Sequence, residues 1–181
     1  MDSAILLRPS VERDITAIAA IYRHHVLHGI ASFEEIPPET DEIAIRWREI
    51  VASGLPYLVA ERHGRVLGYC YASLYRTRSA YRFSVEDSIY IDHTQLGRGI
   101  GRALLSETIA RCTALGYRQM IAVIGGSETV SSIRLHAALG FAQVGIFPAI
   151  GFKFGRWIDS VYMQRALGPS QTTLPQEIPH G

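Results

Sequence analysis

"SIYIDHTQLGRGIGRALL", Ser88 to Leu105, carries an apolar strand pattern through three alternating glycines, Gly97, Gly99 and Gly101, into a helix pattern. Alternating glycines let successive backbone N–H groups converge on an anion, and the helix that follows turns its positive end to the same point. Arg98 and Arg102 can add charge. A pyrophosphate fits such a cradle, whereas a ligand-free turn would need only two glycines. Two well-known phosphate loops fail on spacing. The dinucleotide fingerprint wants a glycine where Arg102 or Leu104 stands, and the triphosphate loop wants a Gly-Lys-Ser/Thr that this stretch lacks.

Outward from this stretch, the chain reads β-α-α-β-β-β-α-β-α-β-β. "AILLRP" predicts a first strand. "RDITAIAAIYRHHVLHG" predicts a helix with Ile15, Ile18, Ala19, Tyr22 and Val26 on its inner face, Asp14 near its start and Gly29 at its end. After the proline-stiffened loop "ASFEEIPPET", Thr40 is expected to cap a helix whose buried stripe is Ile43, Trp47, Ile50 and Val51. "YLVAER" and "VLGYCYASLY" form a hairpin through His63-Gly64, and "FSVEDSIYI" is the next strand. The helix after the glycine loop should bury Ile100, Leu104, Leu105, Thr108, Ile109 and Cys112 and end at Gly116. "QMIAVIG" is almost uniformly apolar, as a strand covered on both faces would be. "SSIRLHAALG" is a short helix, with strands in "AQVGIFPAI" and "RWIDSVYMQR" after it. Hairpins followed by a β-α-β crossover make a mixed central sheet of the α/β (α+β) class. Residues 1–168 read as one domain, and the polar, proline-rich 169–181 as a mobile tail.

Composition narrows the chemistry. The chain has 181 residues, 48% of them hydrophobic and 19% charged, an ordinary globular balance. A formal net charge of +1, without a basic stripe, gives no pull toward nucleic acid or an anionic membrane. No apolar run reaches the roughly 20 residues of a membrane span, and "MDSAILLRPS" lacks the pattern of a signal peptide. The two cysteines, Cys70 and Cys112, read as small buried hydrophobes in a reducing cytoplasm. His24 and His28 stand at i and i+4, but His25 occupies the place where a zinc protease needs glutamate. A polar helix face is expected there, and no metal.

"LGRGIGRALL" after "SIYI" resembles the acetyl-CoA loop of the GCN5-related N-acetyltransferases (GNAT). "RSAY", "FSVEDSIYI", "SSIRLHAALGF" and "GFKFGRWIDSVYMQ" further resemble the phosphinothricin and methionine sulfoximine/sulfone acetyltransferases. The likeness runs from about Ile5 to Leu167. It implies a GNAT-like domain, acetyl-CoA as co-substrate and a homodimer. It also implies that the backbone of Ile89, Tyr90 and Ile91 pairs with the pantetheine arm like an added strand, while Gly97, Arg98, Gly99, Ile100, Gly101 and Arg102 hold the pyrophosphate. Ser132 matches a further cofactor position. Two positions depart from the family pattern: Leu96 replaces Gln or Arg, and Thr129 replaces an asparagine that contacts the cofactor. An insertion or deletion would put Glu128 there instead.

Acetyl transfer to an amine needs a base, a polariser for the thioester carbonyl and a proton for the leaving thiolate. The resemblance assigns the base to Glu86 and a catalytic role to His136, with the Ile91 N–H as polariser. For the acceptor, Arg76 and Arg78 can each hold a carboxylate or phosphinate in two hydrogen bonds. Arg78 and Tyr81 fit the family's "R-x-A-Y", and Arg76 takes the place of an arginine in the methionine-derivative enzymes. Phe33 matches an aromatic near the acceptor, and Ser88 is placed on the same wall. The expected reaction is N-acetylation of the α-amine of a small amino acid. A different amine (polyamine, aminoglycoside or protein N-terminus) and a non-catalytic acyl-CoA-binding module are the alternatives. "KFGRW", Lys153 to Trp157, has only packing or a dimer contact to explain it.

Overall fold

The computed structural model describes residues 4–176. Seven strands form one sheet: β1 (Leu6–Pro9), β2 (Tyr57–Arg62), β3 (Arg65–Leu74), β4 (Ser84–Ile91), β5 (Gln119–Gly125), β6 (Ala142–Lys153) and β7 (Arg156–Ala166), in the spatial order β1-β2-β3-β4-β5-β7-β6. Only the β4–β5 pair is parallel. Helices α1 (Ile15–His28) and α2 (Thr40–Ala52) pack on one face, and α3 (Ile100–Ala114) and α4 (Val130–Ala138) lie on the other. The element order is the one read from the sequence.

Strand alternation divides the core. Tyr57, Val59, Val66 and Tyr69 meet α1 and α2, while Leu58, Ala60, Leu67 and Cys70 meet α3. The inner stripe of α3 is buried as expected, with Leu104 and Leu105 fully enclosed. Each such leucine contributes roughly 1.5–3 kcal/mol by leaving water. Cys70 and Cys112 are buried free thiols in the same core. Two hairpins close on two-residue turns whose central residues both have positive φ, His63-Gly64 and Phe154-Gly155, as the twist of paired strands favours.

Several expectations need correction. Thr40 is the first residue of α2 rather than its cap; Glu39 holds the cap position and makes no side-chain cap bond. Val51 is exposed, because α2 turns it past the edge of the core. β5 is covered on one face only: Met120, Ala122 and Ile124 are buried against α3, while Ile121 and Val123 are half-buried. The helices α1 and α2 cover the β1–β4 half of the sheet and leave the other face of β5 to border a cleft. β6 runs on to Lys153, so "KFGRW" is the β6–β7 turn. Beyond Leu167 the chain folds back on the start of β5. Arg118 there donates to Ser170 O, Thr173 Oγ1 and Leu174 O, and Gln119 to Ser170 Oγ. The rest of the expected tail, 177–181, and residues 1–3 lie outside the described residues.

Candidate active site

The site begins where β4 and β5 part. Their pairing runs from Ser84–Gln119 to Asp87–Ala122 and stops, although β4 continues to Ile91 and β5 to Gly125. On its other side β4 stays paired with β3 through Ile91. The N–H of Asp92 reaches Leu67 O at 2.9 Å, so the ladder's two-residue alternation turns Ser88 and Tyr90 toward β3 and leaves the backbone of Ile89 and Ile91 facing the opening. His25 Nε2–H donates to Ile91 O at 2.8 Å. The N–H of Ile91 and both polar groups of Ile89 remain for an added strand-like partner, which an open edge of this kind would otherwise recruit non-specifically.

Two cavities meet at this opening and share Ala31, Ser88, Tyr90, Val123 and Gly125 in their linings. One, about 60 Å³, reaches Thr129 at the start of α4 and Ser132 and His136 on it. The other, about 530 Å³, opens on the α1 side among Ser32, Phe33, Glu34 and Glu86. They are the two ends of one cleft through the sheet.

Beyond β4 the glycine loop is built as its sequence suggests. Gly97 (φ 74°) and Gly99 (φ 77°) adopt left-handed conformations, and a Cβ at either would meet open space. Glycine is needed there for backbone shape, not for room. Gly101 packs closely, since a Cβ would lie 3.3 Å from Leu135 on α4. Arg98 and Arg102 are exposed, whereas the Ile100 side chain is buried in the core and only its backbone can serve a ligand. An exposed loop with two left-handed glycines, a helix start and an unpaired strand edge fits acetyl-CoA. Thr129 Oγ1 donates to Gly125 O at 2.7 Å, so its hydroxyl can only accept from a ligand. Glu128 is paired with Arg156 at 2.7 Å.

Glu86 and His136 approach from opposite faces. Glu86 shares the α1 face with Ser88 and Tyr90. Burial pushes its carboxyl above the ordinary glutamate value, Asp87 adds to this, and Arg76 opposes it. Such a carboxylate is a better base near neutral pH. His136 is 2% exposed; its Nδ1 meets Ser132 O at 2.8 Å and its Nε2 meets Asp87 Oδ2 at 3.1 Å. Burial alone would lower the imidazole, but the Asp87 carboxylate and the Ser132 carbonyl outweigh it and raise the value. Asp87 was not legible as a site residue. It lies next to Glu86 but on the other face, and nothing local in the sequence ties it to a histidine 49 positions away.

The arginine segment lies outside the cavity walls. Arg76 covers the Tyr75 ring at 4.9 Å, Tyr81 meets that ring edge-on, and Arg78 is exposed. Phe33 does line the larger of the two cavities. His24 stacks on His93 at 3.7 Å, which uses the helix face as ring packing.

With this geometry in place, the relatives are informative. The family description "Acetyltransferase (GNAT) domain" matches residues 7–162. A phosphinothricin N-acetyltransferase of Alcaligenes faecalis is 53% identical, over 96% of this chain and 88% of that protein. An L-methionine sulfoximine/L-methionine sulfone acetyltransferase of Salmonella typhimurium is 37% identical, over 89% of this chain and 94% of its own. Among solved structures, a GNAT superfamily phosphinothricin acetyltransferase from Sinorhizobium meliloti in complex with AcCoA superposes with a TM-score of 0.93 at 53% identity, covering 97% of this chain and 95% of that one.

Proposed function

The chain belongs to the GNAT acetyltransferase family and is an acetyl-CoA-dependent N-acetyltransferase, and from that premise we propose that its acceptor is the α-amine of a small amino acid of the phosphinothricin, methionine sulfoximine or methionine sulfone type. The observation that carries this reading is Glu86, a half-buried carboxylate with a raised proton affinity in the wall of the larger cavity, on the opposite side of the sheet from α4. In this reading Glu86 takes the ammonium proton of the acceptor, directly or through one water. The Ile91 N–H polarises the thioester carbonyl at the open edge of β4, and the glycine loop from Gly97 to Arg102 holds the pyrophosphate. Ser132 and Thr129 border the arm from α4. His136, whose proton affinity Asp87 raises, supplies the proton for the departing thiolate; its Nε2–H must leave Asp87 to do so.

Phe33 packs the acceptor's stem, with Ser88 beside it. Arg76, close enough to influence Glu86, and Arg78 with Tyr81 receive the acceptor's anionic groups from the β3–β4 loop. A cationic acceptor would meet these arginines unfavourably. We further propose a homodimer. The edge strand β6 exposes Val144, Ile146, Phe147, Ile150 and Phe152, with Trp157 65% exposed on the next strand, and a second copy of this face would cover them. Two buried free thiols suit a reducing cytoplasm.

Thiol release from acetyl-CoA tests the acceptor assignment against phosphinothricin, methionine sulfoximine, methionine sulfone, ordinary amino acids, a polyamine and an aminoglycoside. Release with the first three, and little with the cationic amines, is the expected outcome. Release with the cationic amines alone would overturn the assignment.

A further inference from the structure

The "KFGRW" turn contains a charge placed where charges are rarely found. Lys153 is 2% exposed, and its ammonium donates to Gly29 O at 2.9 Å and to Ser32 O at 2.7 Å, across 124 and 121 positions of chain. A buried ammonium is costly unless its donors are used, and here two are used on a single loop. Its remaining side faces the Phe154 ring at 5.0 Å. Two residues earlier, and so on the same face of β6, Gly151 receives the Phe33 ring: a Cβ there would lie 2.5 Å from Phe33 Cε2. The same loop rests on the end of β5, where a Cβ at Gly125 would lie 2.0 Å from Ile30 O. Ser32 is tied from the other side by Tyr22, hydroxyl to hydroxyl at 2.8 Å.

The pattern Gly151-Phe152-Lys153 thus meets the acceptor-side wall with one face. Glycine seats the aromatic ring and lysine pins the backbone of the turn before it. We infer that Lys153 is a positioning residue for the acceptor, holding the Gly29–Phe33 loop so that Ala31, Ser32 and Phe33 form a fixed wall of the cleft, and that Gly151 sets the depth of Phe33 and with it the side chain the site accepts. The inference rests on the α1-side cavity being the acceptor's. Lys153 does not touch the reacting atoms; it acts through the loop.

Lys153→Met keeps the length of the stem and removes the donors. Its KM for phosphinothricin is expected to rise about tenfold, as loss of a buried charged donor implies, with the KM for acetyl-CoA within about twofold of the parent. Hydrogen exchange of the amides from Ile30 to Glu34 should quicken by about tenfold while those of α3 hold. Gly151→Ala must displace the Phe33 ring, three atoms of which would lie within 3.0 Å of the new Cβ, and leaves the Lys153 donors in place. It should shift the ratio of kcat/KM between phosphinothricin and methionine sulfone without altering acetyl-CoA kinetics, and an unchanged ratio would overturn the role given to Gly151. If Lys153→Met does not fold, Lys153→Gln, which keeps a shorter, uncharged donor, carries the test of the clamp. Unchanged loop exchange in Lys153→Met, or an equal rise of both KM values, would overturn the clamp. The exchange measurement needs no acceptor, so a parent enzyme that ignores all three amino acids counts against the acceptor assignment alone.

Discussion

On the α3 side of the cleft, the loop around Gly97 and Gly99 takes its shape from its own residues, two left-handed glycines and the helix they start. On the α1 side, the wall formed by Ala31, Ser32 and Phe33 takes its shape from Gly125, Gly151 and Lys153, more than ninety positions away. In the proposed reading the two sides answer to different ligands. A pyrophosphate is the same in every acetyl-CoA, and backbone N–H groups suffice to hold it, so a short local motif can carry that part of the site. An acceptor differs from enzyme to enzyme, and its wall is assembled from distant segments that can be exchanged separately. On the proposed reading, the pyrophosphate cradle of this chain is local and the acceptor wall is tertiary.

Substitutions can break that division or sharpen it. The largest effect is expected from Glu86→Gln, which keeps the shape of the wall but removes the proposed base. Turnover should fall by about 10²–10³, with acetyl-CoA affinity by calorimetry nearly unchanged. Full turnover in the variant across neutral pH would remove Glu86 as the base. Gly125→Ala comes next. Its Cβ has no room beside Ile30 O, and overpacking of this kind costs about 1–3 kcal/mol. A lower melting temperature and a raised acceptor KM are expected, and an equal loss of acetyl-CoA affinity would blur the two sides. Gly99→Ala addresses the other side: open space surrounds the new methyl, so the cost is the left-handed backbone alone, about 1–2 kcal/mol. Acetyl-CoA affinity should weaken by about three- to tenfold and acceptor KM should not move.

The smallest effect is one of pH. Burial and Asp87 raise the Glu86 carboxyl, while Arg76 lowers it. The base acts when deprotonated, so the acid limb of kcat/KM should lie above the ordinary glutamate range. Arg76→Ala removes that opposing influence and should move the limb to still higher pH. A shift to lower pH would mean that another group titrates.

The fold was legible almost entirely. Helix α3, with Ile100, Leu104, Leu105, Thr108, Ile109 and Cys112 all buried, is where periodicity and structure agree most closely. The misreadings fall at margins. Thr40 has the side chain of a cap, but the chain enters α2 one residue earlier, a distinction composition does not encode. "QMIAVIG" reads as covered on both faces because an apolar run cannot say whether its second face meets a helix or an empty cleft. The same limit governs the site. Glu86 and the glycine loop stand in recognisable local contexts. The Asp87–His136 pair and the Lys153 clamp do not, since each joins residues on elements that meet only in the folded sheet.

By itself, the sequence determined the order and type of the elements, the α/β class with a mixed sheet, and a backbone cradle for a phosphate-bearing carrier. These follow from periodicity and from the φ freedom of glycine, both of which act over a few residues. Only the tertiary structure decided that β4 and β5 part after Asp87, that Glu86 and His136 face opposite ends of the cleft so formed, and that a buried lysine from the β6–β7 turn holds the loop beside it. Those outcomes depend on which surfaces meet when the sheet closes, where one unpaired edge or one buried charge is settled by partners far away in the chain.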